Sequence, residues 1–488
     1  MTFAKLVAWR RHLLLGALCA GIGAANGARI SPLVALAFGI ALAGGASVST
    51  EGRGRLVLVA GTLFALGLGW GGARLDALDR SVLLGEVDRA ERAVVVVTGP
   101  PRRGRFDLRA PVEVRRFGAR ALREPALLQL PQGRAPPQGA ILEVLCEVVL
   151  PRGPKDGFDE RTWLRRHGMH VVLKGDRWRV VGRRGGIAGL GDRLRDRLAR
   201  SVAVGLDGQR RAVLLGVVLG ADEGIDDGLR QRFRASGLYH LLAVSGQNVV
   251  LVAGGALFLA WLLGLPRWLG EIGALGAIGS YVLVVGSQPS VIRAGVAGAL
   301  VSLAWLTARA SDRWYFLLLG ALVLLVWSPY VLLDAGFQLS FAAVAAIFTL
   351  VPRVTTVLEG YPVPRPLAMV VAVSASCAAV TAPILWLQFH AVPLLTVPAN
   401  AAAAPVVAPL LYLACATAGL SAVAPAAAGI VAQLNGWCAA YLAGCARLVG
   451  GLPFAQLRSG RVVAVLTLLA VGTAAYAWRR WRTSSLRT

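Results

Sequence analysis

At 488 residues, 56% of them hydrophobic and with a mean hydropathy of +0.62, the chain is too apolar for a water-soluble globule and long enough for many membrane spans. The formal charge of +25 is almost all arginine, since Lys5, Lys155 and Lys174 are the only lysines. Arginine keeps its charge everywhere and grips phosphate in a fork, so a polyanion or anionic lipid is one expectation, and a biased genome under the positive-inside rule is the other. The six cysteines, Cys19, Cys146, Cys377, Cys415, Cys438 and Cys445, make no disulfide framework or zinc spacing and read as buried core residues.

Three apolar runs come first, about 13–28, 32–48 and 56–72, so residues 1–72 form a set of N-terminal transmembrane helices. Lys5, Arg10 and Arg11 ahead of the first run have the shape of a signal peptide; the two further runs make it an uncleaved span. The basic residues before the first run, and Arg53 and Arg55 between the second and third, put the N-terminus in the cytoplasm and send the third run outward.

Residues 73–184 change character to charged, Gly- and Pro-punctuated sequence with short β-branched runs at 93–98, 107–114, 126–130, 141–150 and 169–181. Five short strands between turns predict a small all-β barrel, with an OB-fold as the natural guess. Arg102, Arg103, Arg105, Arg115 and Arg116 cluster around a predicted hairpin. They are either a track for a phosphate backbone or solvated loop charge. Phe106 and Phe117 are the nearest candidates for stacking on bases.

Within residues 185–210, Ile187, Leu190, Leu194, Leu198 and Val202 recur at three- and four-residue steps, with Arg193, Arg195, Arg197 and Arg200 on the other faces. This is an amphipathic helix, lying in the membrane surface or packed as a connector. Residues 211–478 return to apolar runs, roughly eight to ten of them and some too short to cross straight. The final span, near 462–478, precedes a basic tail, 479–488, whose Arg479, Arg480, Arg482 and Arg487 argue for a cytoplasmic C-terminus.

Within this apolar part, residues 237–254 carry His240, Ser245, Gln247 and Asn248. An unpaired hydrogen-bonding group in hydrocarbon costs several kcal/mol, so these side chains must face a cavity, a pore or another helix. Arg293 and Asp334 are costlier still, at about +2.5 to +3.5 kcal/mol each on insertion scales, and need water, each other or a substrate. They either line an aqueous path or form a structural ion pair. Gln338 and Ser340 add uncharged hydrogen bonds, and Asn400, among Pro393, Pro398, Pro405 and Pro409, marks a further interrupted or closely packed helix.

Four stretches in order resemble the ComEC family of inner-membrane DNA-uptake channels. They are Gly157-Phe-Asp-Glu-Arg-Thr-Trp-Leu-Arg-Arg-His-Gly168; Leu214-Leu-Gly-Val-Val-Leu-Gly220 with Phe233-Arg-Ala-Ser-Gly237 and His-Leu-Leu-Ala-Val-Ser-Gly246; Pro289-Ser-Val-Ile-Arg-Ala-Gly295; and Asp334-Ala-Gly-Phe-Gln-Leu-Ser-Phe341. The resemblance implies a polytopic α-helical membrane protein with an extracytoplasmic OB-fold-like domain inserted after three N-terminal spans. It further implies that the β-domain receives DNA and that residues 211–478 conduct a single strand inward.

Two departures matter. Many members have Ser-Gly-Leu-His where this chain has Ser245-Gly246-Gln247-Asn248, which removes an ionisable ring. The His-x-His-x-Asp-His pattern of the family's C-terminal metallo-β-lactamase-like domain is not found, so a separate nuclease is expected to degrade the second strand.

His12, His167, His170, His240 and His390 do not make a metal spacing, and neither a nucleophile elbow nor a phosphate-cradling loop is found, so no cofactor, metal or catalytic set is expected. Membrane lipids, an outer DNA receptor and a cytosolic helicase or ATPase are the implied partners. The rival readings are a transporter for a smaller anionic solute and a membrane-embedded enzyme using His240, Ser245 and Asp334.

Overall fold

The computed structural model describes residues 9–49, 52–104, 106–155, 157–243, 246–286, 289–307 and 312–461. Arg105, Ser245, the expected final span and the basic tail lie outside the described residues. The chain divides into two compact units: residues up to 200 with 245–334, and residues 201–244 with 335 onward.

In the first unit, α1 (Arg10–Ala24), α2 (Pro32–Val48) and α3 (Gly52–Leu78) follow the three apolar runs. Glycines on α3 set how closely they pack. A Cβ at Gly67 would come 2.5 Å from the Leu18 carbonyl oxygen, and one at Gly71 2.8 Å from that of Ile22. The Gly67-x-x-x-Gly71 face therefore lets the α1 backbone approach, as small residues do between membrane helices. After α3 the chain enters a barrel of β1 (Ala90–Val97), β2 (Asp107–Phe117), β3 (Arg120–Pro131), β4 (Ala140–Val149) and β5 (Val172–Arg183). The five expected runs are these strands, several of them longer than the hydrophobic pattern.

The strand order is β1-β4-β5-β3-β2, and β2 pairs back onto β1, so the sheet closes on itself. β3 and β5 run parallel; the other neighbours are antiparallel. Alternation in β2 and β4 sends Leu108, Val112, Leu142 and Val144 into a sealed core with Val95, Val97, Leu128 and Leu173. Each such side chain contributes about 1.5–3 kcal/mol by leaving water. Phe117, a stacking candidate by sequence, is 4% exposed within this core, while Phe106 is 79% exposed. The alternation that buries Leu108, Ala110, Val112 and Val114 would turn Phe117 outward, but an irregularity at Arg115 and Arg116 resets it, so Phe117 falls on the inner face and cannot stack on a base.

The helix α4 (Glu160–Arg166) fastens the barrel to α3. Asp159 caps it by accepting from the Thr162 backbone at 3.1 Å and its hydroxyl at 2.6 Å, which holds the Asp159 carboxyl below the usual carboxylate range. Leu164 is fully buried, Glu160 accepts from Arg109 at 2.5 Å, and Arg165 reaches Asp79, just past α3, with two hydrogen bonds of 2.9 and 2.5 Å. Asp79 also accepts from Arg29 and Tyr330. The first resembling stretch is thus a docking helix, and its Asp, Leu and Arg each have a mechanical task.

The amphipathic helix appears as α5 (Gly186–Val202). Its buried Asp192 pairs with Arg184 and accepts from Gln138 at 3.0 Å; its buried Arg195 donates to the carbonyls of Val284 and Val285 at 3.2 and 3.3 Å. The middle of α5 is therefore a connector between the barrel and a helix end, while Ile187 and Leu190 remain exposed. The unit closes with α6 (Gly246–Leu262), α7 (Arg267–Val285), α8 (Pro289–Leu306) and α9 (Arg313–Trp327). Arg195 satisfies the carbonyls at the negative end of α7.

The second unit contains α10 (Gly208–Leu219), α11 (Asp227–Ser236), α12 (Ala335–Thr349), α13 (Val351–Leu358), α14 (Arg365–Phe389), α15 (Thr396–Leu420) and α16 (Pro425–Gly450). Among the described residues four helices are long and apolar enough to cross a membrane: those at 52–86, 267–285, 365–389 and 396–420. The pair α12 and α13, bent by 46° at a break, makes a fifth candidate. Pro352 opens α13, where its missing N–H and fixed φ favour a new helix start over continuation. The helices at 32–48, 246–262, 291–306 and 313–327 are apolar but shorter, so several segments are part-span pieces.

Candidate functional site

The residues singled out by sequence fall in both units, and each unit holds a distinct polar arrangement. In the first, Gln247 and Asn248 open α6, with Gln247 exposed and Asn248 3% exposed. Asn248 donates from Nδ2 to the Tyr281 hydroxyl of α7 at 3.3 Å. Arg293, 8% exposed on α8, brings Nη2 to within 3.5 Å of where a Cβ on Gly246 would sit, and its Cγ to 3.7 Å from that of Gly320 on α9. Arg293 therefore packs against both glycines, its stem beside Gly320 and its head beside Gly246. The Pro-Ser-x-x-Arg-Ala stretch and the polar start of α6 meet here. Asp334 lies half-buried where the 3-10 turn Pro329–Leu333 ends.

In the second unit, α11 leads to the single turn Tyr239–Leu242. Phe233 is fully buried, the Ser236 hydroxyl donates to the Phe233 carbonyl at 3.2 Å, and Gly237 ends the helix at φ +80°. A Cβ at Gly237 would collide with the Thr396 hydroxyl, so both backbone conformation and space exclude another residue. His240 is exposed and its Nδ1 lies 2.8 Å from the Gly237 carbonyl. Gln338 on α12 accepts from Gln388 of α14 at 3.0 Å, and Asn400 sits half-buried in the first turns of α15.

The arginines expected to form one cluster on the barrel fall into two groups. Arg102 and Arg103 form a short strand against Arg109 and Leu108, at the start of β2. Arg115 and Arg116 lie near its other end, seven residues from Arg109 to Arg116, or roughly 23 Å along the strand. Proximity in sequence around a hairpin misled here, because the strand is longer than its apolar pattern.

A second basic surface was not legible in the sequence. Across the outside of the barrel, Arg116, Val94, Glu143 and Arg179 stand side by side on β2, β1, β4 and β5, with Arg92, Leu145 and Arg177 in the row beside them. Arg179 holds Glu143 at 2.7 Å, and with Arg92 and Arg116 nearby keeps that carboxyl below its ordinary range. One carboxylate thus stands among four guanidiniums. The alternation Arg177-x-Arg179 was the available signal, but only the register brings Arg92 and Arg116 beside it.

A stretch of 182 residues is 32% identical to ComE operon protein 3 of Bacillus subtilis, covering 36% of this chain and 22% of that protein. Similar matches reach competence protein ComA of Neisseria gonorrhoeae, 31% identical over 26% of this chain and 20% of the relative, and the uncharacterized protein YcaI of Escherichia coli, 29% over 28% and 19%. The matched stretch thus spans about a fifth of each relative's length. No solved structure matches the chain. The family model described as Competence protein matches residues 217–484, more than half of the chain, so that with its apolar helices and β-barrel this chain belongs to the ComEC-type competence protein family.

Proposed function

We propose that this protein is an inner-membrane channel that passes single-stranded DNA into the cytoplasm during natural transformation, with the barrel outside receiving the strand. The observation that carries the reading is Arg293, a buried arginine in an apolar helix whose head is accommodated beside the polar opening of α6. A guanidinium held among polar groups within apolar helices marks a place where an anion can be met, and a phosphate-bearing polymer crossing a membrane is such an anion. Family membership supplies the direction of the reading: relatives carry competence names.

The barrel supports the receiving role. A closed five-stranded barrel with its third and fifth strands parallel supports reading this domain as OB-like, a class of fold that often binds single strands. Conduction needs contacts that are many and weak, and Gln247, Asn248, His240, Gln338 and Asn400 provide uncharged hydrogen bonds of that kind. Both termini are cytoplasmic in this reading, the protein is a conduit and not an enzyme, and motive force comes from a cytosolic helicase or ATPase.

The test is a transformation assay in a competent host whose own channel gene is replaced by this chain, with Arg293→Ala and Asp334→Ala made singly and together and expression verified. Loss of at least tenfold in transformants with Arg293→Ala, at normal membrane levels, is expected. Undiminished uptake by a well-expressed Arg293→Ala variant removes that residue from the path.

A further inference from the structure

We infer that the second unit holds a basic cleft that grips the phosphodiester backbone of a single strand, a site distinct from the barrel and from the membrane residues discussed above. The inference rests on the DNA-conducting reading and deepens it.

A hollow of about 680 Å³ is lined by Gln209, Asp226, Arg232 and Arg447, and a neighbouring one of about 500 Å³ by Arg232, Gln231, Gln456 and Arg458; Gly228 and Arg232 belong to both. Each hollow thus holds a pair of guanidiniums, and Arg232 is common to the two. Arg232, Arg447 and Arg458 are exposed, and among the described residues none is ion-paired to a carboxylate. The one acid in the lining, Asp226, is engaged as the cap of α11, accepting from the Leu229 backbone at 3.2 Å.

Arg232 is held in place. Its Nη1 donates to the Gly450 carbonyl at 3.1 Å, at the end of α16. A Cβ at Gly450 would strike the Arg232 backbone and one at Gly451 would lie 3.4 Å from Nη1, so the glycine pair makes the seat. One N–H is spent on that anchor, which leaves the rest of the fork for an anion. Arg458 is steadied by Gln456 at 3.3 and 3.1 Å.

Two adjoining guanidinium pairs suit a ligand with repeated charges better than a single headgroup. No aromatic ring lines either hollow among the described residues, so the contact reads phosphate and not base, and sequence preference is absent. Arg232 directly precedes Phe233-Arg-Ala-Ser-Gly237, so the cleft stands at the head of the stretch leading to His240.

The test measures binding of a fluorescent oligothymidylate to the full chain in zwitterionic nanodiscs across a salt series, for wild type, the triple variant Arg232→Gln, Arg447→Gln, Arg458→Gln, and the barrel variant Arg92→Gln, Arg116→Gln, Arg177→Gln, Arg179→Gln. The Arg447→Gln, Arg458→Gln double keeps the result readable if replacing Arg232 unseats Gly450. The cleft predicts at least tenfold weaker binding by the triple variant and a salt slope shallower by roughly 2, about 0.7 per arginine. Unchanged affinity and slope in both cleft variants, with wild type and the barrel contribution intact, overturn the cleft alone. In a parallel arm with nanodiscs that contain anionic phospholipid, cleft variants that keep DNA binding but lose bound anionic phospholipid overturn it in favour of a headgroup site. Wild type that fails to bind any strand sinks the conducting reading and the cleft with it.

Discussion

The barrel and the helices solve burial in opposite senses. In the barrel, Leu108, Val112, Leu142 and Val144 are sealed inside while Arg92, Arg177 and Arg179 face out. Among the helices, Trp261, Leu262, Leu263, Leu387 and Phe389 are exposed while Asn248, Arg293, Ser374, Ser376, Thr417 and Asn435 are buried. The difference teaches which solvent each part is built for. A leucine turned outward is costly in water and free in hydrocarbon, whereas a donor turned inward looks to its neighbours, as the Asn435 Nδ2 donates to the Leu410 carbonyl at 3.1 Å.

The sharpest way to break this contrast is to place one acid in each setting. Leu142→Asp puts a carboxylate in the barrel core and should cost at least about 4 kcal/mol, seen as proteolysis of the barrel at temperatures where wild type resists. Leu262→Asp, on an exposed helix position, should cost about 3 kcal/mol of membrane insertion, read as loss of membrane-integrated protein. An exposed leucine in water would tolerate the change within about 0.5 kcal/mol, so normal insertion of Leu262→Asp would mean that this face meets water.

Next in size is Gly237→Val. A β-branched residue at φ +80° against Thr396 should destabilise the second unit by about 2 kcal/mol or more, measured as a lower thermal midpoint in detergent. Gly237→Ala should cost less, and a cost that Thr396→Ala leaves unrelieved would show that the backbone conformation, not Thr396, sets the requirement. Smaller again is Arg165→Ala, which removes two charge-assisted hydrogen bonds at a half-exposed position and should cost about 1 kcal/mol. Its readout is faster hydrogen exchange at α4 and the end of α3, with the barrel core unchanged. The smallest effect on stability is expected from Arg177→Gln with Arg179→Gln, within about 0.5 kcal/mol, although the pair should reduce the salt dependence of strand binding.

What could be read from the sequence follows the same division. The five strands were legible because period-two alternation against a sealed core leaves a mark in every strand, and α5 because its apolar residues recur at helical steps. Register left no such mark: Arg92, Arg116 and Arg179 become neighbours only across three strand boundaries, and Phe117 reads as a surface aromatic because the break in β2 alternation at Arg115 and Arg116 that turns it inward has no sequence signature. The helical site was half legible. Arg293, Asn248 and Gly237 stood out because polar groups and glycines are conspicuous in apolar runs, yet the residues they meet, Gly246, Tyr281 and Thr396, lie on other helices. The arginines of the cleft carried no signal, since exposed arginines at helix ends are ordinary until Gly450 and Gly451 seat one of them.

The most direct measurement places a photo-crosslinking residue at Gln247, at Arg293 and at Leu262 in cells taking up labelled DNA. Adducts to the DNA strand at Gln247 or Arg293, with lipid adducts alone at Leu262, are the predicted result. Continued uptake with lipid adducts at all three positions would contradict a polar passage through these helices.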